Sequence, residues 1–341
     1  MKNRRGRGNG RYIFSVAVLF VLLAVSFVCA LLFGAERLSL RGLFAPRGVD
    51  AFARIILFNL RLPRALLAAL AGVLLAGAGA AFQLFFRNPL AEPGIIGISS
   101  GATLGAVAAG SFGAMPVLWG TVSPVNTGAF CGALLSGVLV TALAGKRTGP
   151  SSTVALLLCG TALGTLYSAL TSIILLLREK ELHAMYVWML GSFSGRGWNE
   201  LKFIAVPASL AVILLLVCAV PLDLLAGGER TALSLGVEVR RLRILVMTAG
   251  ALAASAAVCA GGTIGFVGLI APHIVRRIYG AKSRTLIPLS MAAGAVLMLL
   301  SDTLARTIAA PAEIPVGVIT SLLGAPFFIS LIFSDRGLRN G

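Results

Sequence analysis

The sequence predicts an all-α protein that crosses a lipid bilayer about ten times. Three observations carry that expectation. Of 341 residues, 58% are apolar and only 12% are charged, against roughly 25% charged in a soluble domain. The apolar residues gather into runs long enough to cross about 30 Å of hydrocarbon, which takes about 20 residues of helix. The 29 lysines and arginines fall between those runs. A net charge of +17 in a soluble chain would suggest nucleic acid; here the basic residues mark membrane borders, and no nucleic-acid partner is expected. The same composition excludes intrinsic disorder.

Residues 1–11 form a basic tail ahead of the first run, 12–33. That order mimics a secretory leader, but the run lacks a clean small-x-small cleavage site and reads as an uncleaved first span. Residues 34–61 form the first loop. The second span, 62–86, has Pro63 near its start, where a missing N–H costs nothing. The third, 93–111, opens on Pro93 and carries Gly97, Gly101 and Gly105 on one face. The fourth is 128–144, and the fifth, 151–177, carries Gly160 and Gly164. Such small-residue faces let helices approach where lipid offers no hydrophobic drive. The sixth is 200–220, followed by a polar stretch, 221–243. The seventh and eighth, 244–260 and 263–279, are separated only by Gly261-Gly262; the ninth is 286–309, and the tenth, 315–333, begins at Pro315. No stretch between spans is long enough for a separate domain, so 1–341 reads as one transmembrane unit.

Basic residues also set a direction. With the N-terminus inside, the inner segments hold 18 Lys and Arg and the outer segments 11, which favours N-in and C-in. The first outer loop breaks the pattern with Arg37, Arg41, Arg47, Arg54, Arg61 and the adjoining Arg64, against Glu36 and Asp50. Two readings stand: a basic outer face that meets an acidic partner, or a long loop that crosses regardless of charge. Arg61-Leu62-Pro63-Arg64 is faintly echoed by Arg241-Leu242-Arg243, at the heads of spans that would run in opposite directions, as in a weak inverted repeat.

Catalytic signatures are missing. There is no GxxxxGK[ST] phosphate loop and no HExxH, so ATP hydrolysis is not expected of this chain. The five cysteines lie far apart inside apolar runs, without CxxC spacing, and indicate neither a zinc site nor disulfides. His183 and His273 are 90 residues apart. Asp302 and Arg306 stand i, i+4 near the outer end of the ninth span, where they can pair. No acid sits at mid-span, which counts against an ion- or proton-coupled secondary carrier, the alternative class.

Two segments are more specific: RLPRALLAALAGVLLAGAGAAFQLFFRNPLAEPGIIGISSGATLG (61–105), and GGTIGFVGLIAPHIVRRIYG followed by LSDTLARTIAAPAEIPVGVITSLLGAP, between 261 and 326. Together with WMLGSFSGRGW (188–198) and LDLLAGGERTALSLGV (222–237), they resemble the FecCD-type permeases. These are membrane subunits of ATP-driven importers for iron–siderophore complexes, haem and cobalamin. The resemblance implies ten spans in a bacterial-type cytoplasmic membrane, and a homodimer or a pair of homologous subunits around a central pathway lined by the fifth and tenth spans. It implies two cytoplasmic ATPase subunits, which hold ATP and Mg, and an extracytoplasmic binding protein that delivers the chelate; no cofactor or metal is expected on this chain. Leu224, Gly228, Glu229, Arg230, Leu235, Gly236 and Glu238 would couple to the ATPase. Asn88, Ser151 and Ser152 would stand at a cytoplasmic gate, although helix capping explains them equally well. Arg61, Arg64 and Arg306 would dock acidic residues of the binding protein. An iron–siderophore complex is the expected cargo, with haem and cobalamin as alternatives.

Overall fold

A computed structural model describes residues 3–34, 51–113, 122–144 and 150–338. Ten helices occupy the ten expected runs: α1 (Asn3–Leu32), α3 (Leu62–Phe86), α4 (Ile98–Phe112), α5 (Pro124–Ala144), α6 (Pro150–Leu177), α8 (Trp198–Ala226), α10 (Val239–Gly261), α11 (Val267–Tyr279), α12 (Ser283–Thr307) and α13 (Val316–Leu338). Short helices α2 (Ala51–Ile55), α7 (Glu179–Met189) and α9 (Glu229–Ser234) connect them. Among the described residues seven helices are long and apolar enough to span a bilayer; α4 is shorter.

α3 is the axis of the bundle, packed by α12, α10, α8 and α11. Leu67, Ala68, Ala71 and Leu74 on it are fully buried. Alanine and glycine dominate its sequence because its neighbours come close. A Cβ on Gly72 would stand 2.2 Å from the carbonyl oxygen of Gly294 on α12, and one on Gly79 would stand 2.0 Å from that of Gly268 on α11. Backbones at such separations gain dispersion contacts that lipid tails cannot match. A second cluster joins α4 to α5 and α6. There a Cβ on Gly105 would meet the Gly128 oxygen at 2.1 Å, one on Gly101 would meet Ser136 Cβ at 2.5 Å, and one on Gly97 would meet the Gly160 oxygen at 2.6 Å. Gly164 is looser, with Ser100 Oγ at 3.5 Å.

Three elements differ from the expectation. The loop expected over 34–61 is helical from Ala51, because α2 runs through a π-helical turn, Ile56–Arg61, straight into α3; residues 35–50 lie outside the described residues. The run 93–111 is two pieces: a 3₁₀ turn, Pro93–Ile96, then Gly97 at φ +79°, then α4. The run 263–279 yields only 13 helical residues, because Phe266 takes a left-handed conformation at φ +68° and α11 starts after it. At 1.5 Å per residue α11 reaches only about 20 Å, too short to cross the hydrocarbon alone. α3 and α10, whose N-terminal sequences echo each other, pack on each other.

Candidate functional site

Polar side chains gather in three places along the α3 axis. At its N-terminal end, Arg61, Arg64 and Arg306 line one hollow of about 900 Å³ together with Arg196, Trp198 and Glu313. Their guanidinium groups turn inward. Arg61 Nη1 donates to the carbonyls of Leu31 and Leu32 at 3.0 and 2.7 Å, and Arg306 Nη2 to that of Ala30 at 2.9 Å. The last turn of a helix leaves its carbonyls without intrahelical partners, and cations suit that negative end. Two arginines therefore clamp the end of α1. Arg64 grips Asp302 through Nη2 at 2.9 Å and through Nε at 3.1 Å, while its Nη1 reaches Glu313 at 2.9 Å. Asp302 also pairs with Arg306 Nε at 3.2 Å. Asp302 is 1% exposed, Arg306 5% and Arg61 6%, so only the Glu313 edge of this network is open.

Midway along the bundle a cavity of about 630 Å³ is bounded by Glu92, Gly94, Ser99, Thr263, Gly265 and Gly317. α4, α11 and α13 all begin at its wall. Glu92 lies in the segment between α3 and α4. Its carboxylate meets the Phe266 backbone, so an acid that the sequence placed at a span border stands at the cavity wall instead. The wall is tied by Ser192 N donating to Gly261 O at 2.7 Å and by the Thr263 hydroxyl donating to the Met189 carbonyl.

The far end of α3 holds the polar stretch 221–243. Arg87, left-handed at φ 50° after the last residue of α3, donates Nη2 to the Leu225 carbonyl at 2.6 Å. Asp223 Oδ1 accepts from the backbone N–H of Ser283, the first residue of α12, at 2.5 Å. Gln83 Oε1 accepts from Arg276 Nη2 at 2.9 Å, and its Nε2 donates to Gly268 O at 3.1 Å. Leu224 sits in the last turn of α8. Gly228 at φ +112° and Gly236 at φ +83° make the turns into and out of α9, and only glycine takes such angles freely. α9 presents Leu233, and the residue after its end, Leu235, is likewise 58% exposed. Glu229 opens α9, Arg230 is exposed, and Glu238 pairs with Arg241 at 2.7 Å. Asn88 Oδ1 accepts from Leu90 N at 2.9 Å, a local turn at this end. Ser151 and Ser152 fall in the first turn of α6, but their side chains lie outside the described residues. Among the described residues no three His, Cys, Asp or Glu come together to hold a metal ion.

The profile of the FecCD transport family matches residues 22–334. The chain belongs to the FecCD transport family. Its relatives include the haemin transport system permease protein HmuU of Yersinia pestis, 39% identical over 95% of this chain and 96% of that protein. The Fe(3+)-citrate import system permease protein YfmE of Bacillus subtilis is 39% identical, with 96% of each chain covered. The cobalamin import system permease protein BtuC of Halobacterium salinarum is 40% identical over 86% of this chain and 77% of that protein. A solved ABC transporter assigned to the metal-chelate type, in an inward-facing conformation, superposes with a TM-score of 0.84 at 34% identity, covering 95% of this chain and all of that one.

Within this FecCD chain the Asp302–Arg306 spacing was visible in the sequence; the third partner, Arg64, lies 238 residues away from Asp302 and carries no local signal. Gln83, Asp223 and Arg196 gave none either. Each is a single polar residue beside or inside an apolar run, and its role depends on which helix end it meets.

Proposed function

We propose that this protein is the membrane permease of an ATP-driven importer that carries a metal chelate, an iron–siderophore-type complex, across a bacterial cytoplasmic membrane. The observation that carries this reading is the superposition, over nearly the whole chain, on a transporter of metal-chelate type. Relatives named for ferric citrate, haemin and cobalamin support a large chelated metal as cargo. The chain itself is proposed to be non-catalytic and to bind no cofactor. ATP and Mg belong to two ATPase subunits that dock at the α9 end, which faces the cytoplasm under the N-in, C-in orientation. Leu233 and Leu235 supply the apolar part of that contact, and Glu229, Arg230 and Glu238 its polar rim. A second copy or a homologous subunit completes the pathway against α6 and α13, whose apolar stretches are uncharged over 154–177 and 316–330. Such walls admit a large complex without holding it. Asn88 with the start of α6 is proposed as the constriction on the cytoplasmic side.

The binding protein docks at the opposite end. Of the three arginines read from the sequence as its contacts, Arg61 and Arg306 act as the clamp on α1. Arg64 is the one with a partner at the open edge: its Nε and Nη2 hold Asp302, and its Nη1 holds the partly exposed Glu313. An arriving carboxylate would compete with Glu313 for that nitrogen, a charge-assisted contact.

Changing Glu229, Arg230 and Glu238 together to alanine is the test of the coupling assignment. All three side chains lie at the surface end of the bundle, so the chain should fold and assemble. Ligand-stimulated ATP hydrolysis by the complex should fall at least tenfold, or the ATPase should separate on purification. Unchanged uptake in reconstituted vesicles would remove α9 from the coupling path.

A further inference from the structure

We propose that the groove between α5 and α10 binds one anionic phospholipid, with an acyl chain along the helices and the phosphate at Arg240 and Arg243. The groove encloses about 390 Å³. Leu134, Val138 and Ala142 of α5 form one wall, and Ile244 and Met247 of α10 form the other. It closes where α5 and α10 touch: a Cβ on Gly137 would stand 2.5 Å from Ala251 Cβ. From Arg240 to Ala251 is about 16 Å of helix at 1.5 Å per residue, close to the roughly 15 Å hydrocarbon depth of one leaflet. Val138, Ala142 and Ile244 are exposed, so the groove opens sideways from the bundle, where lipid tails would lie.

Charge selects the headgroup. α10 has no acidic residue in its first turn, yet Arg240, Arg241 and Arg243 all lie at that end. Cations at a helix N-terminus oppose the macrodipole, and anions favour it. Glu238 pairs with Arg241, and Glu229 is an acid whose charge acts on Arg243. Arg240 and Arg243 are one turn apart and both line the slot, Arg240 exposed at its mouth and Arg243 buried behind it. A phosphodiester with attached acyl chains satisfies both halves at once. Free phosphate could use only the arginines, and a neutral lipid only the slot. Basic pockets between spanning helices select anionic headgroups on these grounds.

Native mass spectrometry of the purified full chain tests this, after exchange into an equimolar mixture of phosphatidylglycerol and phosphatidylcholine with identical acyl chains. Wild type should retain phosphatidylglycerol on the order of tenfold over phosphatidylcholine, given two arginines near the headgroup. Arg240→Gln should cut that ratio several-fold, and Arg240→Gln with Arg243→Gln should bring it to about one. Since Arg243 is buried, the exposed Arg240→Gln alone decides the question if the double variant fails to fold. Val138→Phe should fill the slot and lower retention of both lipids, while Arg241→Gln should leave the ratio as in wild type. Equal retention of the two lipids by wild type, or an unchanged ratio in Arg240→Gln, overturns the proposal. Full retention by Val138→Phe, or loss of the preference on adding inorganic phosphate, reduces the feature to a surface anion site and equally overturns it.

Discussion

Asp302→Asn should cost about 3–5 kcal/mol, the usual penalty for removing one partner from a buried ion pair. The asparagine keeps the shape but withdraws the charge that faces both Arg64 and Arg306, at 2.9 and 3.2 Å. Glu313 would then be left to balance two arginines, and among the described residues its ion pair is with Arg64. The damage should spread, because Arg306 also holds the Ala30 carbonyl and so fixes α1 to α12. In detergent the melting temperature should drop by on the order of 5–10 °C. A single variant that melts like wild type would mean that the network does not hold this end of the bundle.

Gly79→Leu should be more damaging than any surface change. Its Cβ alone would lie 2.0 Å from the Gly268 carbonyl oxygen and 2.6 Å from Gly268 Cα. Both are backbone atoms that no rotamer change can move, so α3 and α11 must separate. Overpacking commonly costs about 1–3 kcal/mol when side chains can yield, and this contact offers none that can. We expect little correctly assembled protein after extraction. Gly164→Ala is the matched control. Its Cβ would meet Ser100 Oγ at 3.5 Å, an ordinary contact, and yield should match wild type. Equal yields from both variants would show that the α3–α11 approach is not tight.

The positions of the helices were legible because lipid imposes a length: a segment either supplies about 20 apolar residues or does not cross. Interruptions inside the runs were not. Hydropathy is blind to the left-handed turns at Gly97 and Phe266, so two runs were read as full spans where the chain builds a short α4 and α11. Arg54 and Arg61 hid the helical character of 51–61, since charges within an apolar run look like a loop. Four-residue spacing marked a small-residue face over Gly97, Gly101 and Gly105; it could not say that Gly72 and Gly294, 222 residues apart, would meet. The arginines illustrate the same limit. Sequence placed Arg61, Arg64 and Arg306 at one end of the bundle, and they do share a hollow. Which groups they grip is a three-dimensional matter, and the C-terminal carbonyls of α1 are invisible in any motif. The polar stretch 221–243 was legible as an exposed break between spans, whereas the Arg87 and Asp223 ties that anchor it needed the fold.

Uptake by the reconstituted system tests the central claim most directly. Vesicles would contain this permease with its ATPase, and the binding protein would be loaded with a radiolabelled ferric chelate. The account predicts accumulation that requires ATP on the ATPase side and the loaded binding protein outside, and that persists when proton and sodium gradients are collapsed. Accumulation by the permease alone, driven by an imposed ion gradient and indifferent to ATP, would contradict it and make the chain a secondary carrier.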